Sequence, residues 1–230
     1  MARPKSDSFE QKRDDILNHA ASCFAAKSYV GASMNDIAQA SGTSKARLYH
    51  YYGAKEAILF DLLDRYTQRL LSLIGQAEAT AQRRKLDERA ALHELIHSFL
   101  AEYETSATRH VALLNDTKFL AGEQRDTILN RQRDVVAAVT RFLRRAYPQR
   151  VQEHNQTATA MMLFGMINWT FTWLRPQGRM SYARFADEVV ALLERGLADA
   201  PQTVRAEPVE ALRQARGERL TAVAVKRAQA

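Results

Sequence analysis

An all-α fold is predicted by three observations. No stretch of the chain alternates apolar and polar residues with the two-residue period of a strand. Apolar residues instead recur three and four apart over long windows. Glycine and proline, nine and five among 230 residues, are scarce before residue 200. A hydrophobic share of 46% is ample for a core, which excludes a disordered chain. The formal charge of +7 suits a polyanionic partner, with DNA, RNA and an anionic membrane surface all compatible with it. Cys23 is the only cysteine, so an internal disulfide is excluded and a reducing cytoplasm is expected. No apolar signal segment follows Met1, which argues against secretion.

Residues 1–8 form a short arm carrying Arg3 and Lys5, either a frayed terminus or a basic arm that reaches phosphate or a minor groove. A first helix is predicted over 9–26, with Phe9, Ile16, Leu17, Ala20 and Phe24 on one stripe and Cys23 beside it as a small buried hydrophobe. Gly31 closes the link into the stretch 33–52. There Ser33 is a good N-cap, and Asp36 faces the free amides of the first turn. Ile37 and Ala38 give a short helix its apolar side, and the small Ala38 lets a second helix cross closely. Gly42 stands where the chain must reverse, in a turn whose positive φ costs glycine nothing. Thr43 or Ser44 caps the next helix, whose inner side carries Leu48 and Tyr51. Its outer side carries Lys45, Arg47, Tyr49 and His50, with no carboxylate among them.

Two short helices about a glycine turn make a helix-turn-helix, in which the second helix enters the DNA major groove. The resemblance goes further. Asp36-Ile37-Ala38, Gly42-Thr43-Ser44-Lys45, Leu48-Tyr49-His50-Tyr51-Tyr52 and Lys55-Glu56 resemble the DNA-binding domain of the TetR family of transcriptional regulators. The match covers about the first quarter of the chain. Ala46 stands where the family often has Gly, and Gly53-Ala54 precedes Lys55 where it usually supplies a Ser, Asp or Asn cap. The resemblance implies that Tyr49, His50 and Lys55 hold the phosphate backbone, with Ser33 and Ser44 also at the DNA face. Thr43, Lys45 and Arg47 are better placed for base edges.

A fourth helix follows from Lys55, with a stripe through Ile58, Leu59, Leu62, Leu63, Tyr66, Leu70, Leu73 and Ile74. It leads out of the DNA-binding unit and is its mechanical link to the rest. The polar run 78–89 holds a boundary, and further helices are predicted over 90–103, 109–119 and 123–147, the last ended by Pro148. Residues 158–174 are apolar on nearly every face, and such a helix has to be covered on all sides. Asn168, the threonines and the terminal Arg175-Pro176 make it a buried helix rather than a membrane span. A last helix over 181–197 has a narrower stripe with Phe185, Val189, Leu192, Leu193 and Leu197. The division expected is a DNA-binding domain over 1–54, a ligand-binding and dimerisation domain over 55–199, and a disordered or partly helical tail over 200–230.

The chemistry that competes is His93-Glu94-Leu95-Ile96-His97, a match to the H-E-x-x-H zinc pattern. A catalytic zinc needs a third protein ligand, for which Glu102, Glu104 and His110 are within range. The extended metallopeptidase pattern fails at Leu100 and Tyr103. No phosphate-cradling glycine loop, nucleophile elbow or cysteine pair is present, so no enzyme and no cofactor are expected.

The TetR resemblance implies a homodimer on a palindromic operator, its last two long helices pairing with those of a second subunit as a four-helix bundle. Phe185, Val189 and Leu193 would lie at that seam. It also implies repression relieved by a small effector in the larger domain. Asn168 to Pro176, followed by Gly178, is similar to the segment of members that sense acyl-coenzyme A thioesters of fatty or aromatic acid catabolism. On that likeness Phe164, Asn168, Trp169, Trp173 and Arg175 line the ligand site. Arg141, Arg144, Arg145 or Arg175 would meet the coenzyme phosphates. The alternative effector is a hydrophobic drug or antibiotic.

Overall fold

The first helix outruns its predicted bounds at both ends. In the computed structural model, which describes residues 5–198, α1 spans Lys5–Gly31 and is broken at Ser28, whose φ of 56° and ψ of 168° are not helical. Ile16, Leu17, Ala20 and Phe24 are buried as the stripe predicts, but Phe9 is 43% exposed and stacks on Tyr51 at 4.8 Å. Helix α2 (Met34–Ala40) and α3 (Lys45–Tyr51) pack on each other and α2 packs on α1. The tail over 200–230 and Arg3 lie outside the described residues.

Helix α4 (Lys55–Arg84) buries Ile58, Leu59, Leu62, Leu63, Tyr66, Leu70, Leu73, Ile74 and Ala77 along one side. Its 30 residues span about 45 Å at 1.5 Å per residue, so it runs continuously from the helix-turn-helix into the larger half. It stops at Lys85, whose left-handed φ of 52° lets its N–H return to the carbonyls of Ala81 and Gln82. Helix α5 (Glu88–Thr105) starts under an Asp87 cap that accepts from Ala90 N at 2.8 Å. Helix α6 (Ala107–Asp116) passes into a 3₁₀ turn over Thr117–Phe119, and α7 (Gly122–Ala146) ends just before Pro148. Both α5 and α7 pack on α4, while α6 packs chiefly on α1.

The predicted single helix over 158–174 is two. Helix α8 (Gln156–Ile167) stops, and after Asn168 and Trp169 a single turn, α9 (Thr170–Trp173), follows. Thr170 Oγ1 donates to the Ile167 carbonyl at 2.9 Å and Thr172 Oγ1 to that of Trp169 at 2.7 Å. These hydroxyls offer the carbonyls an alternative to the helical ladder. Leu163, Phe164 and Ile167 are buried, but Met161, Met162, Trp169 and Trp173 are each at least half exposed, so the chain itself does not cover this segment on all sides. Helix α10 (Tyr182–Ala198) closes the fold against α5 and α8. Among the described residues every regular element is helical, and no helix is long and apolar enough to cross a membrane.

Candidate nucleic-acid interface and effector chamber

The reading head is built by its caps. Ser33 Oγ accepts from Asp36 N at 3.1 Å, and the Asp36 carboxylate accepts in return from Ser33 N at 2.8 Å, a full capping box. Lys27 Nζ lies 2.6 Å from Asp36 Oδ1, and with the Ser33 bonds it holds that carboxyl well below the usual range. The turn is closed by Gly42 N to Gln39 O at 3.1 Å and Thr43 N to Ala38 O at 3.0 Å, with Gly42 at φ 60°. Of the two candidate caps it is Ser44 that acts, accepting from Arg47 N at 3.1 Å. Leu48 is buried beneath α3, while Lys45, Arg47, Tyr49 and His50 are exposed on its outer side.

Three residues read as DNA contacts sit differently. The Ser33 hydroxyl is committed to its cap, and Thr43 is half-buried with its hydroxyl oxygen turned inward. Lys55 is held by the protein itself. Its ammonium donates to the carbonyls of Tyr29 at 2.7 Å and Ala32 at 2.6 Å and lies 4.3 Å from the Tyr29 ring centre. Those oxygens belong to the chain after the Ser28 break, which no helical partner satisfies, so the lysine braces α1 against α4. It also secures a helix start at which Ala54 supplies no side-chain cap. Behind α3, Asp61 accepts from Arg13 at 2.7 Å, Tyr52 Oη at 2.5 Å and Arg65 at 2.9 Å. Burial raises the Asp61 carboxyl, but the Tyr52 and Arg65 bonds outweigh burial and leave it below its ordinary value.

In the larger half, α4 to α8 enclose a chamber of about 250 Å³. Leu70, Leu113, Val135, Val136, Met161 and Phe164 supply apolar wall, and the polar groups are the neutral Thr67, Tyr103, His110, Gln132 and Asn168. No Asp, Glu, Lys or Arg lines it. Burial pushes His110 down to about 4, only partly opposed by the nearby Asn168 amide, so its ring is neutral at pH 7. Tyr103 stacks on that ring at 3.9 Å and donates to Asn168 Oδ1 at 3.3 Å. Gln132 and Val136 also line an open groove of about 550 Å³ that carries Arg133, Arg141 and Arg144. Arg141 and Arg144 continue into a second groove with Arg145 and Glu153. Arg133 donates to Asn130 and Arg144 to Gln156, both neutral, whereas Arg145 faces Glu78 and Glu88.

Of the residues expected at the ligand site, Phe164 and Asn168 line the chamber and three do not. The break after Ile167 turns Trp169 outward onto Phe171 at 5.9 Å, and Trp173 lies edge-on to Phe185 at 5.1 Å. Arg175 is exposed in the following turn. Tyr103, His110 and Gln132 were missed, since nothing local in the sequence marks them.

Helix α6 belongs to both sites. His110, Leu113 and Leu114 face the chamber, and one turn on Asp116 Oδ1 accepts from Tyr29 N at 3.3 Å. Phe119 stacks on the Tyr29 ring at 5.1 Å, and Arg109 donates to Asn18 at 2.5 Å. Tyr29 is the residue whose carbonyl Lys55 holds, so α6 reaches the start of α4 without passing along it.

The expected subunit seam also changes. Val189 and Leu193 are 1% and 8% exposed, because the stripe they share with Tyr182, Ala186 and Val190 packs on the chain's own α5 and α8. Phe185 is half-buried under Trp173. Leu192 is 61% exposed, and with Leu193 it lines a groove of about 560 Å³ that also has Met162, Gly165, Met166 and Gly196 on its walls.

The zinc pattern is occupied otherwise. His93 Nε2 lies 3.2 Å from Glu194 and His97 Nε2 3.0 Å from Asp187, both carboxylates on α10, while Glu94 accepts from Arg84 at 3.4 Å. Glu102 accepts from Arg69 at 2.8 Å and Ser106 at 2.7 Å, and His110 is in the chamber. Among the described residues no three His, Cys, Asp or Glu groups converge on one point. Both histidines of α5 thus face carboxylates of α10 rather than each other.

The fold with its exposed recognition helix defines a helix-turn-helix DNA-binding regulator. The model of bacterial regulatory proteins of the tetR family matches residues 16–62, and that of the tetracyclin repressor-like C-terminal domain matches 85–197. A TetR-family transcriptional regulator from Bordetella parapertussis is 33% identical with a TM-score of 0.75, over 82% of this chain and 97% of that one. The chain belongs to the TetR family of transcriptional regulators. The transcriptional repressor KstR2 of Rhodococcus jostii is 26% identical over 133 residues, 56% of this chain and 63% of its own length. The chain spans less than two thirds of the length of the curated relatives it matches first. The fold also matches AibR in complex with isovaleryl coenzyme A and operator DNA, at a TM-score of 0.69 and 24% identity, over 79% of this chain and 97% of that one.

Proposed function

We propose that the chain is a repressor that reads a palindromic operator as a homodimer and releases it when an acyl-coenzyme A thioester occupies the chamber. Lys45, Arg47, Tyr49 and His50 would meet the DNA, the first two at base edges and the others at phosphates. A two-fold pair sets the recognition helices about 34–36 Å apart. The exposed Met161, Met162, Trp169, Trp173 and Leu192 offer α8 and α10 an apolar surface for the second subunit.

The observation that carries the effector reading is a neutral slot that lies next to an arginine groove and shares Gln132 and Val136 with it. A thioester of coenzyme A has this bipartite chemistry. Its acyl group suits the slot, and its phosphates suit guanidinium groups, which bind them bidentately. AibR, which shares the fold, binds a ligand of this class. An uncharged drug or antibiotic is the second reading, favoured by the absence of any charge in the slot, but it would leave Arg133, Arg141 and Arg144 without a role.

The test is operator release measured with hexanoyl-coenzyme A, free coenzyme A, hexanoate and a panel of apolar drugs. Release by the thioester, weakened at least tenfold by Arg141→Ala with Arg144→Ala, is the expected result. Release by a drug while the thioester neither binds nor releases would replace this reading with the second one.

A further inference from the structure

The recognition helix is too short to hold its own orientation. Helix α3 has seven residues, and Leu48 is the one it buries. Two turns, about 10 Å long, take their angle from whatever fastens their ends. Ser44 fastens the first end through the Arg47 amide, at 3.1 Å. Tyr52, which follows the last residue, fastens the second. Its backbone is extended, its N–H returns to the Leu48 carbonyl at 3.0 Å, and it is 4% exposed.

What holds Tyr52 is a carboxylate shared by α1, α4 and the end of α3. The Tyr52 hydroxyl donates to Asp61 Oδ2 at 2.5 Å, and Asp61 stands on α4. The Asp61 carboxyl lies below its ordinary value, and burial, then the Asp61 bond, holds the phenol above its own. An ionised carboxylate can only accept, so the proton of this bond lies on Tyr52. The same Oδ2 accepts from Arg13 of α1 at 2.7 Å, and Oδ1 accepts from Arg65 of α4 at 2.9 Å. Arg13 also bonds the Tyr52 hydroxyl, and its guanidinium carbon lies 5.7 Å from that ring centre. Both arginines are braced in turn. Arg13 donates to Glu10 at 3.0 Å, and Arg65 donates to Glu10 at 2.9 Å and to Asp14 at 2.8 Å.

Fixing one end of a reading helix matters unequally to the two kinds of DNA contact. A hydrogen bond to a base edge needs its donor held to about 0.5 Å, and it weakens steeply as its angle falls. Attraction to phosphate falls off slowly with distance and survives a helix that rocks. We infer that Tyr52 and Asp61 set the sequence specificity of this regulator from behind α3: the Tyr52 hydroxyl, held by Asp61, fixes the angle at which Lys45 and Arg47 are presented. Both are positioning residues, since the Asp61 side chain is only 15% exposed and Tyr52 is still more deeply buried. This rests on Lys45 and Arg47 meeting base edges.

The test uses the full-length protein, the duplex that the wild type selects from a randomised library, and a shuffled duplex of the same length. Tyr52→Phe keeps the ring and leaves Asp61 paired with Arg13 and Arg65, so the head should fold. Its ratio of selected to shuffled affinity should fall about fivefold, within what one bond to a charged group allows. Affinity for the shuffled duplex and its slope against salt should stay at the wild-type values, because no phosphate contact is lost. A merely structural role would lower the folded fraction, which reduces both affinities by one factor and leaves the ratio alone. Arg47→Ala, measured beside it, is the reference for a base contact. A ratio lowered by Arg47→Ala and unchanged by Tyr52→Phe overturns the inference and leaves the base-edge reading standing. A flattened salt slope in Tyr52→Phe also overturns it, since the hydroxyl would then be a phosphate contact. A ratio that neither variant lowers overturns the base-edge reading, and this inference with it.

Discussion

The reading head and the chamber solve opposite problems. The head presents Lys45, Arg47 and His50 to solvent, where a polyanion can reach them, and holds the helix beneath with ion pairs from Arg13 and Arg65 to Asp61. The chamber has no charged wall and keeps even its histidine neutral by burial. A charged, wet surface gains affinity from counterion release and can be read in steps, whereas a neutral slot discriminates by leaving wrong groups unpaired. The same side chain type shows the contrast: His50 is exposed on α3, and His110 is sealed between Tyr66 and Tyr103.

The largest effect expected from this contrast is on stability against pH. The folded His110 titrates near 4, against about 6.5 when unfolded, so the unfolded chain takes up the proton first as pH falls. The stability from this site is fully present above pH 6.5 and drains away down to pH 4, by about 3 kcal/mol there. Tyr66 and Tyr103, which pack on the ring, are raised by burial and stay protonated throughout. Urea unfolding at pH 7 and pH 4.5 should therefore differ by less in the Tyr66→Phe, His110→Phe variant than in the wild type. An identical pH dependence would mean that the ring takes up its proton in the folded state.

Next comes the head. Arg47→Ala should cost about 1–3 kcal/mol on the operator and much less on random DNA if the guanidinium pairs with a guanine. Equal losses on both would make it a phosphate contact. Lys55→Ala should behave differently, because its ammonium is held by Tyr29 and Ala32. It should lower the melting temperature and leave the slope of affinity against salt unchanged. A slope reduced by about one contact would return Lys55 to the DNA. A smaller effect separates the two faces of α10. Leu192→Glu should loosen the dimer in light scattering with little loss of fold, while Val189→Glu should unfold the subunit, since Val189 is 1% exposed. A dimer of unchanged affinity in the Leu192 variant would put the seam elsewhere.

The contrast also explains what the sequence could tell. The head lies within 20 contiguous residues, and its caps, glycine turn and inner Leu48 obey local rules, so Ser33, Asp36 and Gly42 were legible as caps and turn. The chamber draws one to three residues from each of five helices, from Thr67 to Asn168, and no spacing rule links Tyr66 to His110. Phe164 stood in the apolar run and Asn168 opened the segment similar to acyl-coenzyme A sensors, and both line the chamber. Trp169 and Trp173 lie off the chamber because the helix stops after Ile167, which periodicity cannot reveal. Val189 shows a different limit: one stripe can face the chain's own core or a second subunit, and the pattern of α10 is the same in both cases. Val189 is buried on α5 and α8, with Leu193 at the edge of the outward groove. Lys55 sat at a helix start close to the predicted recognition helix, and only the positive-φ break at Ser28, at a non-glycine residue, shows which carbonyls it holds.

The smallest expected effect is on coupling between the two regions. A ligand shifts an equilibrium only by its differential affinity for two states, so a thioester that releases the operator must bind the DNA-free form better. A long α4 alone suggests a lever between the halves, but α6 offers a shorter route through Asp116 to Tyr29, and from Tyr29 to Lys55. Asp116→Asn keeps an acceptor oxygen there and should leave coupling near the wild-type value, whereas Asp116→Ala removes it. Asp116 does not line the chamber and packs on Tyr29 rather than on α3, so both affinities measured singly should change little. What should change is their product: if a thioester lowers operator affinity within the 5–150-fold that typical couplings allow, the alanine variant should lose about 0.5–2 kcal/mol of that coupling. Reciprocity supplies the check, because operator DNA must weaken thioester binding by the same reduced factor. A coupling factor unchanged in Asp116→Ala would assign the signal to α4, acting as a lever from Leu70 at the chamber to its own first turn.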